Sequence, residues 1–174
     1  MKAIKFFAIA ILFSGVSVMA SAQSSATQQT AKAAARIISP ITITYDNTAL
    51  SFGTMVSLVE AYDVTVSAAG VRTISDAAAK IGGITSTISV PKFTVGGESG
   101  ANYTITLPAN GTVEFSNVSG ATAMKLEDFK ASLASLKGVI GTSSEFTVGA
   151  TLKVNAKQQA GSYTATFPVT VSYE

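Results

Sequence analysis

Apolar side chains recur at every second position along most of this chain, and the runs are short. Ile41, Ile43 and Tyr45 alternate with Thr42 and Thr44. Such alternation puts one set of side chains on one face of a strand, so a half-buried strand is predicted there. Leu50 and Phe52 repeat the pattern up to Gly53, and Val64 and Val66 begin another strand closed by Ala69-Gly70. Gly82-Gly83 is a further break. Ile88, Val90, Phe93 and Val95 follow, kinked at Pro91 and ended by Gly96-Gly97. Tyr103, Ile105 and Leu107 run into Pro108. Asn110-Gly111 suits a tight hairpin, with Val113 and Phe115 on the returning strand. Phe146 and Val148, then Leu152 and Val154, form a late strand, and Gly149 between them reads as a bulge or a close backbone approach. Gln158 to Gly161 turns the chain into the last strand.

One stretch follows a different period. Leu126, Phe129, Leu133 and Leu136 recur at three- and four-residue steps, and Gly138 could end the run. That spacing predicts a short amphipathic helix between late strands, covering an open end of the fold. About seven to nine short strands with Gly, Pro and Asn turns predict an all-β, immunoglobulin-like β-sandwich over residues 37–174.

The strongest alternation is the last. Tyr163, Ala165, Phe167, Val169, Val171 and Tyr173 share one face, separated by Thr164, Thr166, Pro168, Thr170 and Ser172. A one-residue slip would expose the whole set, so the register is firmly specified. Pro168 has no N–H, so the lateral side reached by the amides of Thr166, Pro168 and Thr170 loses a donor. An edge strand or bulge accounts for this; so does a flank where another strand docks.

The start of the chain changes the picture of where the fold works. Lys2 and Lys5 precede an apolar run from Phe6 to Val18, and Ala20-Ser21-Ala22 supplies small residues at the cleavage positions. Residues 1–22 therefore read as a secretory signal peptide cut after Ala22. The run is too short to span a bilayer comfortably, and no later segment is long and apolar enough to do so. The expected location is secreted: periplasm, outer surface or fimbrium. Residues 23–36 are polar and alanine-rich and read as a flexible N-terminal arm.

Removing 22 residues leaves 152, with 10 basic and 10 acidic side chains. A neutral chain without a basic run carries no electrostatic footprint for nucleic acid or an anionic membrane. There is no cysteine, histidine or tryptophan. Disulfide staples, Ser-His-Asp or Cys-His catalysis and ordinary zinc sites are thereby excluded. Ser89-Val90-Pro91-Lys92 has a serine–lysine spacing but lies on a proline-broken strand without companion motifs. Gly96-Gly97-Glu98-Ser99-Gly100 lacks the lysine of a phosphate loop. No catalytic residue, metal or cofactor is expected.

The C-terminal residues carry a resemblance. Tyr173 is next to last and Gly161 is fourteenth from the end. The chain resembles subunits of bacterial chaperone–usher fimbriae, which end in an alternating apolar strand with those two landmarks. Through Ile38-Ser39-Pro40-Ile41-Thr42-Ile43, Leu50-Ser51-Phe52-Gly53, Phe93-Thr94-Val95-Gly96-Gly97, Tyr103-Thr104-Ile105-Thr106-Leu107-Pro108, Phe146-Thr147-Val148-Gly149-Ala150-Thr151-Leu152 and the last strand, it also resembles a family of small secreted bacterial domains of unknown function (family 4402) grouped with fimbrial adhesins. The resemblance implies an incomplete sandwich completed by a neighbour's strand, with like subunits or an export chaperone as partners. Residues 23–36 depart from a donor arm, because they offer only alanines where large apolar residues should alternate. The expected function is a non-enzymatic structural or adhesive surface subunit acting by strand pairing. The rival is a stand-alone secreted module binding carbohydrate or matrix, with a complete sandwich.

Overall fold

The computed structural model describes residues 27–80, 86–117 and 120–174. The stretch read as a signal peptide, with Ala20 and Ala22, the first residues of the predicted arm and the predicted Gly82-Gly83 break lie outside the described residues. Residues 27–36 contain no regular structure and are exposed.

From residue 37 onward the chain is an all-β sandwich. Its strands are β1 (Thr42–Tyr45), β2 (Tyr62–Val66), β3 (Arg72–Ile74), β4 (Lys92–Gly96), β5 (Asn102–Thr106), β6 (Val113–Phe115), β7 (Met124–Ala131), β8 (Lys137–Val139), β9 (Glu145–Val154) and β10 (Thr170–Tyr173). The larger sheet runs β1-β4-β9-β2-β3, with β7 on β9 and β6 outside β7. The smaller runs β10-β5-β8. Every strand pairing is antiparallel.

β9 organises the larger sheet. Its first residues pair with β4 and its last five with β2, while β7 follows the other flank. A strand with neighbours on both flanks and both faces covered is largely apolar, and Phe146 to Leu152 are buried except Thr147, the one buried hydroxyl, that of Thr151, being bonded to Thr65 at 2.9 Å. Gly149 lies where β4 gives way to β2. A Cβ there would stand 2.2 Å from the Val66 carbonyl oxygen and 2.5 Å from the Ala68 nitrogen. The glycine serves a close backbone approach, one of its two predicted roles.

The bulge lies instead in β7, and it replaces the predicted helix. Residues 124–131 are strand, and the register against β9 shifts by one residue between Glu127 and Lys130. Asp128 there takes φ 50°. The extra residue turns a two-residue step into the three-residue step from Leu126 to Phe129, which imitates a helical period. Leu133 and Leu136 fall in the following turn, where the Leu136 N–H donates to the Leu133 carbonyl at 3.0 Å. The one helical element among the described residues is a 3₁₀ turn at Ala77–Ala79.

The predicted hairpin at Asn110-Gly111 is also corrected. The chain does turn there, but β5 pairs with β8 and β10 while β6 pairs with β7. Pro108 ends the first strand, and Gly111 N–H donates to the Leu126 carbonyl at 2.9 Å. That bond pulls the turn towards the larger sheet, so the chain crosses between sheets.

Two hydrophobic clusters result. One lies between β4–β9 and the smaller sheet, around Phe93, Val95, Tyr103, Ile105, Phe146 and Val148. The other lies on β2, β6, β7 and the end of β9, around Val64, Val66, Leu126, Leu152 and Val154. The second cluster is covered by Leu50, Phe52, Met55 and Leu58 on one side and Tyr163, Ala165 and Phe167 on the other. Those covering stretches belong to no named strand.

Candidate functional site

The C-terminal stretch keeps its alternation without interruption. Tyr163, Ala165, Phe167, Val169, Val171 and Tyr173 are half-buried, and the residues between them are exposed. Val169, Val171 and Tyr173 pack on the first cluster, Tyr163 and Ala165 on the second, and Phe167 on both. Phe167 also meets Phe129 with ring centroids 5.1 Å apart. The face that periodicity assigns to the interior therefore points inward, but none of its members is fully covered.

Backbone pairing along this stretch is partial. Thr164 exchanges bonds with Ser116 at 3.0 and 3.1 Å, and the Glu174 N–H donates to the Asn102 carbonyl at 3.2 Å. The even-numbered peptide groups thus point towards β5 and Ser116. Pro168 falls between these two partners, where the chain turns from β5 into β6 and leaves the flank. The side reached by the amides of Thr166, Pro168 and Thr170 is consequently occupied at both ends by the chain's own strands. The opposite flank, reached by the odd-numbered peptide groups, is an outer edge: β10 pairs with β5 alone.

A second edge faces it. Ser51 exchanges backbone bonds with Ser89 at 2.9 and 3.4 Å. In an extended segment the adjacent peptide groups point the other way, so those of Leu50 and Phe52 are turned from Ser89. Between the 49–55 segment and the 158–167 segment runs a groove with two compartments. The larger, about 670 Å³, is walled by residues including Phe52, Met55, Tyr62, Met124, Leu152 and Tyr163. The smaller, about 310 Å³, is walled by residues including Tyr45, Pro91, Phe93 and Phe167. Ala49, Leu50, Phe115 and Ala165 line both. No wall residue carries a charge.

Specific bonds hold the segments around the groove. Beyond its walls, the Tyr173 hydroxyl donates to the Ser39 carbonyl at 2.7 Å and accepts from the Glu98 N–H at 2.7 Å. This ties the stretch entering β1 to β10. A Cβ on Gly97, whose φ is 150°, would stand 2.3 Å from that hydroxyl oxygen. Asp46 then ends β1, accepting from the Thr48 N–H at 3.0 Å and the Lys92 N–H at 3.3 Å. The Thr48 bond above all holds its carboxyl below the usual range. Farther along, Arg72 donates to the Thr54 carbonyl at 2.9 Å and the Tyr62 hydroxyl to the Val56 carbonyl at 2.6 Å. Burial lowers the Arg72 pKa and raises that of Tyr62.

At the opposite rim Gln158 is buried and fully bonded. Its Nε2 donates to the Thr122 carbonyl at 2.7 Å and the Tyr163 hydroxyl at 2.8 Å, and its Oε1 accepts from Asn155 at 2.7 Å. Gly161 is exposed, and a Cβ there would lie 2.9 Å from Asn117 Nδ2. The structure thus brings Tyr163, Ala165 and Phe167 together on the groove, while Val169, Val171 and Tyr173 seat the strand below it. Sequence reasoning missed Tyr45, Phe115 and Gln158 as groove residues, because their association depends on which irregular segments cross the second cluster. Leu50 and Phe52 were legible as apolar alternation, though not as a facing edge.

Among the described residues no group of three acidic, cysteine or histidine side chains is placed to hold a metal. No helix among them is long and apolar enough to cross a membrane.

A family model described as "Domain of unknown function (DUF4402)" matches residues 41–173, more than half of the chain. The chain belongs to that family. No curated protein and no solved structure matches it.

Proposed function

We propose that this member of the DUF4402 family is a non-enzymatic structural or adhesive subunit of the bacterial surface, fimbria-like, whose groove accepts an extended strand. One observation carries the reading. Two backbone edges, at Leu50–Phe52 and at the odd-numbered residues from 163, lie either side of an uncharged groove lined by apolar side chains of the second core together with hydroxyl and amide groups. An incoming strand would satisfy unpaired peptide groups and cover half-buried side chains together, which is the energetic basis of strand addition. The alternating C-terminal stretch with its landmarks Gly161 and Tyr173 and the export-type start of the sequence support the surface assignment. Like subunits or an export chaperone are the partners this mode serves.

The absence of cysteine gives a clean test. Ala49 is exposed on the groove and Val59 is exposed elsewhere at 68%. Single Ala49→Cys and Val59→Cys variants of the full chain are labelled with a maleimide, purified and on intact producing cells. The reading expects Cys replacing Ala49 to be shielded on cells relative to the purified chain, with the Val59 position labelling equally in both. Equal labelling of both positions in both states would refute it.

A further inference from the structure

The chain divides into two units between Arg36 and Ile37. We propose that the Arg36–Ile37 bond is a processing site for an endoprotease of trypsin-like specificity, which releases residues 37–174 as a self-sufficient domain. Water is the co-substrate: the bond between the Arg36 carbonyl carbon and the Ile37 nitrogen breaks, Arg36 ends in a carboxylate and Ile37 begins with an ammonium. Neither edge of the groove takes part, so processing and strand addition stand or fall separately.

An endoprotease seats the residues on both sides of the scissile bond as an extended strand, so the backbone there must be exposed and outside the substrate's own sheets. Residues 27–36 are exposed and contain no regular structure. Ile37 and Ile38 continue this stretch at 97% and 45% exposure. Beyond them the backbone is held at Ser39, whose N–H donates to Glu98 Oε2 at 3.5 Å and whose carbonyl accepts from the Tyr173 hydroxyl at 2.7 Å. Residue type then selects the bond. Of the lysines and arginines among the described residues, Arg72, Lys92, Lys125, Lys130, Lys137 and Lys153 lie in strands. The Lys80 N–H donates to the Ala77 carbonyl at 3.2 Å and the Lys157 N–H to the Leu58 carbonyl at 2.6 Å. Lys32 and Arg36 are the two that fall in the exposed stretch without regular structure. Arg36 is the nearer to the sandwich: a cut after Lys32 leaves the Arg36–Ile37 bond intact, whereas a cut after Arg36 removes both cations. Its guanidinium suits the acidic primary pocket of such an enzyme, where a carboxylate receives it. The sandwich does not need what is removed. Among the described residues no side chain before Ile41 belongs to either hydrophobic cluster, so the buried apolar contacts survive the cut.

Trypsin is the first probe. Limited digestion of the purified full chain, read by intact mass and N-terminal sequencing, should converge on one resistant fragment that starts at Ile37. That fragment should form at least about tenfold faster than any cut within residues 37–174. Its melting temperature should match that of the undigested chain within about 2 °C. Arg36→Gln should stop the trimming at Ala33, after Lys32. Thr44→Arg puts the same side chain on an exposed position of paired β1, and cleavage there should be at least about tenfold slower than after Arg36. The second measurement is made on chain isolated from the cells that naturally produce it. The unaltered chain should begin at Ile37, and the Arg36→Gln chain should begin upstream of it. A first tryptic cut within residues 37–174, or equal cleavage at positions 36 and 44, would overturn the selection of this bond. A lower melting temperature after trimming would overturn the self-sufficient domain. An unaltered chain that begins upstream of Ile37 in its own cells would overturn the processing role, however readily trypsin trims the purified protein.

Discussion

The hydroxyl of Tyr173 does more than its position in an apolar alternation suggests. It accepts from one backbone and donates to another, and those partners, Glu98 and Ser39, flank different strands of the larger sheet. Tyr173→Phe removes both bonds and should cost about 1–2 kcal/mol, because it leaves two polar groups to find other partners. Gly97→Ala meets the same hydroxyl from the other side. Its Cβ would also carry a φ of 150° and approach Ile140 Cδ1 to 3.0 Å. A loss of about 3 kcal/mol is expected for that change alone. In the double variant the hydroxyl clash is gone while the backbone strain stays. The combined cost should fall short of the sum by about 1 kcal/mol. Urea denaturation of the four proteins measures this directly, and strict additivity would mean that the glycine is required for φ alone.

At the scale of the element, periodicity was a good guide to strands and a poor guide to their neighbours. β1, β2, β4, β5, β6 and β9 lie where alternation predicts them, whereas of the last strand predicted from Tyr163 to Tyr173 only Thr170–Tyr173 forms one, with a single bridge at Thr164 before it. β3 and β8 are as short as β6 but lack its pair of apolar residues two apart, having Arg72 with Ile74 and Lys137 with Val139 where β6 has Val113 with Phe115, so no two-residue apolar period declares itself. β7 misled because its bulge inserts one residue between Leu126 and Phe129, and period alone cannot separate an interrupted strand from a short helix. The Asn110-Gly111 crossover was hidden for another reason: a turn dipeptide specifies local backbone shape, whereas the sheet joined next is decided by distant contacts such as Gly111 with Leu126. The groove was half legible. Its C-terminal wall follows from alternation, but its other wall depends on the Ser51–Ser89 bridge. The face assignment can be tested residue by residue. Phe167→Asp puts a charge against Phe129 and both clusters and should cost about 3 kcal/mol or more, enough to threaten folding. Thr166→Asp, one position away and exposed, should change stability by no more than ~0.5 kcal/mol. Comparable losses at the two positions in a chemical melt would mean that the alternation does not define the buried face.

For the whole molecule, the absence of histidine and cysteine makes the response to pH a sharp prediction. Nothing in the side-chain inventory titrates in the middle of the range, so stability depends on groups at its two ends. Asp46 and Glu174 both have carboxyl pKa values held low, the first chiefly by the Thr48 N–H and the second chiefly by Lys137. A carboxylate with a depressed folded pKa contributes stability above its unfolded value. That contribution is lost as pH falls through the folded value, so the decline should begin near pH 4 and continue downward. Lys153 behaves oppositely. Its ammonium is 2.7 Å from Asp63, and that bond raises its pKa. Its contribution is present below the ordinary lysine range and disappears as pH rises through a value above about 10.4. Between these limits the melting temperature should stay constant within about 2 °C from roughly pH 5.5 to 9. Asp46→Asn should soften the acid decline without altering that plateau. Differential scanning calorimetry across the range reads both, and a step in melting temperature centred near pH 6 to 7 would show that stability depends on a group other than these three.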